Sequence, residues 1–504
     1  MIRLGGTQVI HSATEEEAPH ADAFRKFREH TIGMSQRILT PYGSRRLLYA
    51  DWTASGRLYE PIERRIQERF GPYVANPHTE ASAAGALITR AYEEARRIIK
   101  RHVHAGPDDA LFLAGAGMTG AVNKLQRLLG LRLPPWLAGR MDLPPGERPV
   151  VFVTHMEHHS NLLPWRESLA DVVEVPPGAD GNACPRKLGE ALAAYPGRLK
   201  IGSFTACSNV TGLVTPYRSL AAAMHEHGGW CFVDFAASAP YVEIDMHPPD
   251  PRERLDGLFF SPHKFLGGPG AGGVLMLRSD LAASPVPDEP GGGTVAWVSP
   301  FSSHRYLQSL EAREDGGTPP FLQTIRTALC LRLKEQMGTG RIAEREQALG
   351  RALLTRLSRI PGLTLLEARH RERLPIVSFN LRGLHYNLVA RMLSDRFGIQ
   401  VRGGCSCAGP YGHYLLGIGE QASAAAATAA FSGDQSQRPG WVRVSLHPIM
   451  TLREVHAIAD AVAAIAQHGA QWRRDYAYDV RLNRWRHRSR PDPETVPAEW
   501  FTPD

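Results

Sequence analysis

Between residues 111 and 277 short apolar runs alternate with amphipathic ones. Leu111–Leu113, Val150–Thr154, Leu199–Ala206, Trp230–Phe235, Gly257–Ser261 and Gly273–Leu277 read as strands, and Leu220–His227 as a helix between two of them. Such alternation implies an α/β fold with a mostly parallel sheet. The polar residues of interest fall at or just after strand C-terminal ends, which is where sheets of this kind bind ligands.

With 504 residues the chain exceeds one ordinary core. The expected organisation is an N-terminal arm and helix (1–48) packing with a small domain, a large α/β domain (49–320), a smaller α+β domain (321–480) and a tail (481–504). Residues 59–70, 86–104 and 321–360 have helical spacing. After Pro361-Gly362 the pattern becomes strands 375–380, 399–402 and 441–446 with helices 386–397 and 452–467. Residues 1–20 are polar and aperiodic and are expected to be loose. The Ala-, Ser-, Gly- and Gln-rich stretch 415–440 is expected to be a flexible insertion.

Composition narrows the class. Hydrophobic content of 43% and charged content of 22% are those of a globular chain. No apolar run is long enough to span a bilayer. The N-terminus has no signal-peptide pattern, so a cytoplasmic location is expected. Six cysteines, at 184, 207, 231, 330, 405 and 407, are too sparse for a disulfide framework, and no ligand spacing for zinc is present. The arginine-dense run from Arg481 to Arg490 reads as a solvated tail. As a nucleic-acid contact it lacks any aromatic platform beyond Trp485.

The chemistry concentrates at Ser261-Pro262-His263-Lys264, followed by Gly267, Gly268 and Gly270. A lysine held near hydroxyl and imidazole donors suits Schiff-base chemistry beside an anion site. Alone, the stretch also reads as a Gly-rich turn with an exposed lysine. A second element, Leu113-Ala114-Gly115-Ala116-Gly117-Met118-Thr119, joins a strand to a helix N-terminus through a Gly-rich turn. Free N–H groups and the helix dipole there favour a phosphate, although a plain strand-to-helix turn has the same outline. Asp234 ends a buried strand, and an ionised carboxylate there needs a partner.

Taken together, Ser-Pro-His-Lys at 261–264, Glu-His-His-Ser-Asn at 157–161, Val-Asp at 233–234, Gly-Gly-Gly-Thr at 291–294 and Arg443-Val-Ser-Leu resemble the class V, fold-type I pyridoxal-phosphate enzymes, in the cysteine desulfurase and selenocysteine lyase branch. The resemblance runs from about Tyr49 to about Val455. It implies a large domain with a seven-stranded type of sheet and pyridoxal 5′-phosphate as cofactor. Lys264 would anchor the cofactor and move protons at the substrate Cα. Asp234 would pair with the pyridine nitrogen, His158 would stack on the ring, and Asn209 would lie near the ring oxygen and the substrate carboxylate. Thr119, Ser261 and His263, with the Gly117 and Met118 backbone, would bind the phosphate. Thr294 would reach the phosphate of a neighbouring subunit, implying a homodimer. Arg443 would grip the α-carboxylate, unless it sits in an outward ion pair. Thr53, Thr79, His304 and the 405–414 segment are expected around the side-chain pocket.

Cys407 falls where this branch places its sulfur-accepting cysteine. A thiolate on a mobile Gly-rich loop near Arg402 and Arg443 is a plausible nucleophile; an inert loop cysteine, or a Cys405–Cys407 pair binding metal or forming a disulfide, are the alternatives. The family pattern Val-Asp-x-Ala-Gln is here Val233-Asp234-Phe235-Ala236-Ala237, so one hydrogen bond to the cofactor is missing or supplied elsewhere. The resemblance implies desulfuration of L-cysteine or a related sulfur amino acid to alanine and an enzyme persulfide, with a sulfur-acceptor protein as a further partner. C–S lyase, epimerase or aminotransferase chemistry are alternatives that need no Cys407, and a non-catalytic cofactor-binding regulator is a third.

Overall fold

A computed structural model of the chain describes residues 18–489 and 496–503, except 139, 141, 142, 145 and 283. The N-terminal stretch 1–17 and positions 490–495 of the expected tail lie outside the described residues. Seven strands form the main sheet: β1 (Asp109–Leu113), β2 (Val150–Thr154), β3 (Asp171–Val175), β4 (Lys200–Thr205), β5 (Trp230–Asp234), β6 (Gly257–Phe260) and β7 (Val274–Arg278). Their order is β1-β7-β6-β5-β4-β2-β3. β3, β2, β4, β5 and β6 are mutually parallel. Phe152, Phe204, Phe232 and Phe259 are wholly buried. Strands covered on both faces read as continuous apolar runs, which made most of them legible. β3 was missed because this edge strand mixes acidic and apolar residues and is only half buried.

β7 is antiparallel to both neighbours. Only a short Gly-rich segment separates it from β6, with no crossover helix, so the chain must return antiparallel. That return braces the first glycine turn: Ala114 N–H donates to Gly273 O at 2.9 Å and Gly273 N–H to Gly115 O at 3.0 Å. The anion-binding turn and the lysine segment are thus stitched together from behind.

A second sheet, β8 (Leu363–Leu365), β9 (Ile376–Leu381), β10 (Arg402–Gly404) and β11 (Trp441–Ser445), has the order β8-β9-β11-β10 and is antiparallel throughout. Helix Tyr386–Phe397 packs on it, and helix Leu452–Trp472, opened by a Thr451/Glu454 capping box, lies against that helix and Thr339–Leu357. Leu48–Tyr49 pairs in parallel with Ile399–Gln400, and Asp51 bridges to Ser445. An early segment is therefore fixed beside a late one, and Asp51 and Thr53 are delivered to the end of β11.

Three expectations need correction. The helical region 321–360 breaks into Phe321–Met337 and Thr339–Leu357 at Gly338, whose φ is 81°. The stretch 415–440 is not a formless insertion: it contains helix Glu420–Phe431, since alanine has the highest helix propensity whatever its low-complexity look. Arg484–His487 pairs with Tyr476–Asp479 in a hairpin, with Trp485 and His487 buried, rather than trailing in solvent.

Candidate active site

One cleft at the carboxyl ends of β4, β5 and β6 gathers Thr53, Met118, Thr119, His158, Asn209, Asp234, Ser261, His263, Lys264, Cys407 and Arg443. These come from both sheets and from the segment before β1. Among the described residues lining it, Thr79, His304 and Thr294 are missing. Thr294 is buried in its own turn, its hydroxyl donating to Gly291 O at 2.7 Å.

Asp234, at the end of β5, accepts the Ala236 N–H at 2.8 Å. Burial pushes its carboxyl up to about 6, against the pull of that N–H and of Lys264. Burial also draws the Lys264 amine down to about 8, opposed by Asp234. An amine so placed is still mainly protonated at neutral pH but carries a far larger free-amine fraction than an ordinary lysine, as a nucleophile requires. Burial and the nearby cations, Lys264 first, lower His158 to about 3. Its Nδ1 accepts the Ser160 N–H at 3.1 Å, so a neutral flat ring faces the cleft.

The loop carrying His158 is wired by Glu157, which sequence reasoning did not single out. Glu157 accepts from Thr154 Oγ1 at 2.6 Å, Asn161 Nδ2 at 2.7 Å and Thr205 N–H at 3.0 Å. It thereby joins β2, β4 and the loop. Its place in the motif, four residues before Asn161, was the available signal.

The anion turn lies at the N-terminus of helix Met118–Leu128. Met118 N–H donates to Ser261 Oγ at 2.9 Å, leaving the Ser261 hydroxyl hydrogen free to donate. His263 Nδ1 lies 2.9 Å from Ala116 O. A Cβ on Gly117 would sit 2.9 Å from His263 Cε1 and 3.0 Å from Ser261 Oγ, so only glycine keeps this cradle open. Thr119 Oγ1 donates to Ser160 Oγ at 2.7 Å. Ser160 is therefore a further hydroxyl in the cleft.

Arg443 is buried and faces inward rather than into a surface ion pair. Its Nη1 donates to Asn209 O at 3.0 Å and its Nη2 to Asp51 Oδ1 at 2.7 Å. Arg402 Nε donates to the other Asp51 oxygen at 3.1 Å. Asp51 was not singled out from sequence, because the two arginines it joins lie far along the chain. Ala237 lines the cleft with a methyl group and offers no side-chain hydrogen bond there.

The cysteine loop is tied by hydrogen bonds to its own backbone and to its neighbours. Ala408 N–H donates to Cys405 O at 3.0 Å and His159 N–H to Cys407 O at 2.7 Å, while Asn209 Nδ2 donates to Ser406 O at 2.8 Å. Cys407 is exposed at the cleft. Cys405 instead packs against the cluster containing Met156, Tyr411 and Trp441. Among the described residues no group of three or more His, Cys, Asp or Glu is arranged to hold a metal ion, and no helix is long and apolar enough to cross a membrane.

Four buried atoms lining the cleft, Thr53 Oγ1, Asn209 Oδ1, Ser406 Oγ and Arg443 Nε, have no partner within the described chain. A buried polar group left unmade costs about 1–3 kcal/mol. A polar ligand with donors, acceptors and an anionic end would meet this set.

Comparison with known proteins gives a consistent picture. A family model described as Aminotransferase class-V matches residues 48–458. A probable cysteine desulfurase of Halalkalibacterium halodurans is 30% identical over 373 residues, spanning 73% of this chain and 86% of that protein. One from Staphylococcus epidermidis is 29% identical over 376 residues, spanning 74% and 86%. Among solved structures, the apo cysteine desulfurase of Thermococcus onnurineus superposes with a TM-score of 0.68 at 25% identity, covering 84% of this chain and 95% of that one.

Proposed function

The chain belongs to the class V aminotransferase family, and we propose that within it the protein is a desulfurase acting on L-cysteine or a related sulfur amino acid. Enzymes of this family use pyridoxal phosphate, and the cleft suits it: a glycine cradle between two donors for the phosphate, a carboxylate for the pyridine nitrogen and an amine for the aldehyde carbon. When bound, the cofactor supplies an electron sink for charge developing at the substrate Cα.

This chain's own residues supply the rest of the reading. Lys264 anchors the cofactor and then takes the Cα proton. Asp234 holds the pyridine nitrogen and His158 covers the ring. Ser261, Thr119, His263 and the Gly117 and Met118 backbone hold the phosphate. Arg443 turns a guanidinium edge to the α-carboxylate, Asn209 and Thr53 lie beside it, and Cys407 attacks the substrate sulfur. The substrate C–S bond breaks, an S–S bond forms at Cys407, and the carbon skeleton takes up a proton to leave as alanine. Atoms balance without an external oxidant, because one thiol becomes a persulfide as the carbon is reduced.

The observation that carries this reading is an exposed thiol, Cys407, opening onto the same cleft as Lys264 and Arg443. The relatives named as probable cysteine desulfurases support it. We further infer a homodimer in which the loop carrying Thr294 approaches the neighbouring site, with Thr294 bracing the turn from inside. The residues just after it, Trp297, Val298 and Phe301, are exposed apolar side chains, as an interface requires. A sulfur-acceptor protein is the partner that an exposed persulfide implies.

The test is product analysis with L-cysteine. Alanine together with protein-bound sulfur, lost in Cys407→Ala while the cofactor stays bound, is the expected result. Pyruvate, ammonia and sulfide would instead establish a C–S lyase. Unchanged persulfide yield in Cys407→Ala would remove that residue from its role.

A further inference from the structure

We propose that His159 is the positioning residue for Cys407, a clamp that fixes the thiol-bearing turn against the cofactor face of the cleft. The inference rests on the role proposed for Cys407.

The turn from Cys405 to Ala408 is unusual. Ser406 and Cys407 have φ of 51° and 54°, the left-handed region that costs a side-chain-bearing residue about 1–2 kcal/mol. Two such residues in succession persist only where the surroundings over-determine them. His159 supplies much of that determination. Its backbone N–H donates to Cys407 O at 2.7 Å. Its ring Nε2 accepts the Gly409 N–H at 2.8 Å. One residue therefore grips the peptide groups on both sides of Ala408. The fit is close: a Cβ on Gly409 would stand 2.9 Å from Nε2, so only glycine lets the ring approach.

An acceptor at Nε2 requires a neutral imidazole. Burial, with Arg438 and Arg166 nearby, holds His159 below its usual range. The far side is braced as well: Gly409 O lies 2.8 Å from His413 Nδ1, and His413 Nε2 lies 2.9 Å from Ser423 Oγ. Adjacent to the clamp, His158 turns its ring into the cleft. A single peptide unit thus sets the spacing between the ring that covers the cofactor and the turn that presents the nucleophile. His159 touches no reacting atom; it acts through Cys407.

The test compares His159→Ala, His159→Gln and Gly409→Ala as cofactor-loaded proteins. Three quantities are read: amide exchange at 405–409, the rate of Cys407 alkylation, and kcat and KM for alanine formation from L-cysteine. In His159→Ala, exchange and alkylation should each rise about tenfold, the worth of roughly one hydrogen bond. kcat should fall about tenfold, with KM and cofactor absorbance unchanged. His159→Gln, whose amide oxygen can accept the Gly409 N–H, should recover most of the loss. Gly409→Ala, which displaces the ring from the other side, should match His159→Ala. Wild-type exchange in His159→Ala, or faster exchange with unchanged kcat, overturns the proposal. Should the unmodified protein form no alanine, the desulfurase reading fails, while exchange and alkylation still decide whether the clamp exists.

Discussion

Asp51 Oδ1 lies 2.7 Å from Arg443 Nη2, and its Oδ2 lies 3.1 Å from Arg402 Nε. One carboxylate thus holds two guanidinium groups at the cleft, one on each oxygen. With a bound amino acid, the substrate carboxylate and Asp51 together balance the two arginines, which favours substrates with an uncharged side chain.

Replacing Asp51 by Asn keeps the shape but removes the shared counter-charge, so the arginines repel and Arg443 loses its orientation. KM for L-cysteine should rise at least about tenfold, matching the loss of a charge-assisted hydrogen bond, with cofactor absorbance unchanged. Steady-state kinetics over a range of substrate concentrations decides this; an unaltered KM would confine Asp51 to stability.

Asp234 gives opposite effects in the cofactor-free and loaded proteins. Folding raises its carboxyl from 3.8 to about 6, so the folded state binds the proton more tightly than the unfolded one. Cofactor-free stability therefore falls as pH rises from about 4 to about 6, by up to about 3 kcal/mol. Asp234→Asn should melt higher than the unmodified cofactor-free protein at pH 7 and equally at about pH 4, while binding pyridoxal phosphate at least about tenfold more weakly. Identical melting of both proteins across this range would refute the buried-charge account.

Lys264 is lowered from 10.5 to about 8. Below about 8 it is mainly an ammonium with no lone pair. Capture of pyridoxal phosphate by the cofactor-free protein should accelerate with pH and level off just above 8, not near 10.5. Stopped-flow absorbance across this range measures it, and a rise centred on the ordinary lysine value would mean that Lys264 is solvated.

Cys405 and Cys407 should separate cleanly. Cys405 packs against the apolar cluster that contains Tyr411 and Trp441, so Cys405→Ala should cost about 1 kcal/mol or more of stability and leave sulfur transfer within about twofold of the original. Thermal melting and persulfide mass shifts check both parts. Loss of the persulfide in Cys405→Ala would place that thiol in the reaction.

What could be read from the sequence was whatever a single segment encodes. Val150–Thr154 and Trp230–Asp234 announce themselves because strands covered on both faces leave no room for polar residues. Lys264 and Asp234 stand out because each sits in its own short motif. Partnerships across the chain were invisible: Asp51 meets Arg443 only when two sheets come together, and the Glu157 network depends on β4 lying beside β2. Arginine density hid the alternation of Tyr476, Tyr478, Trp485 and His487 that closes the last hairpin. Alanine repetition disguised helix Glu420–Phe431.

The tethering of Ser406, Cys407 and Gly409 limits how sulfur can leave. With its flanking peptides in these hydrogen bonds, rotation about its own Cα–Cβ bond sweeps the Cys407 sulfur through only a few ångströms. Under the proposed reaction, such a residue cannot ferry cargo outward on a swinging arm. Collection has to happen at the doorway, by something slim enough to enter it: a small thiol, or a protein that offers its own cysteine on a projecting finger.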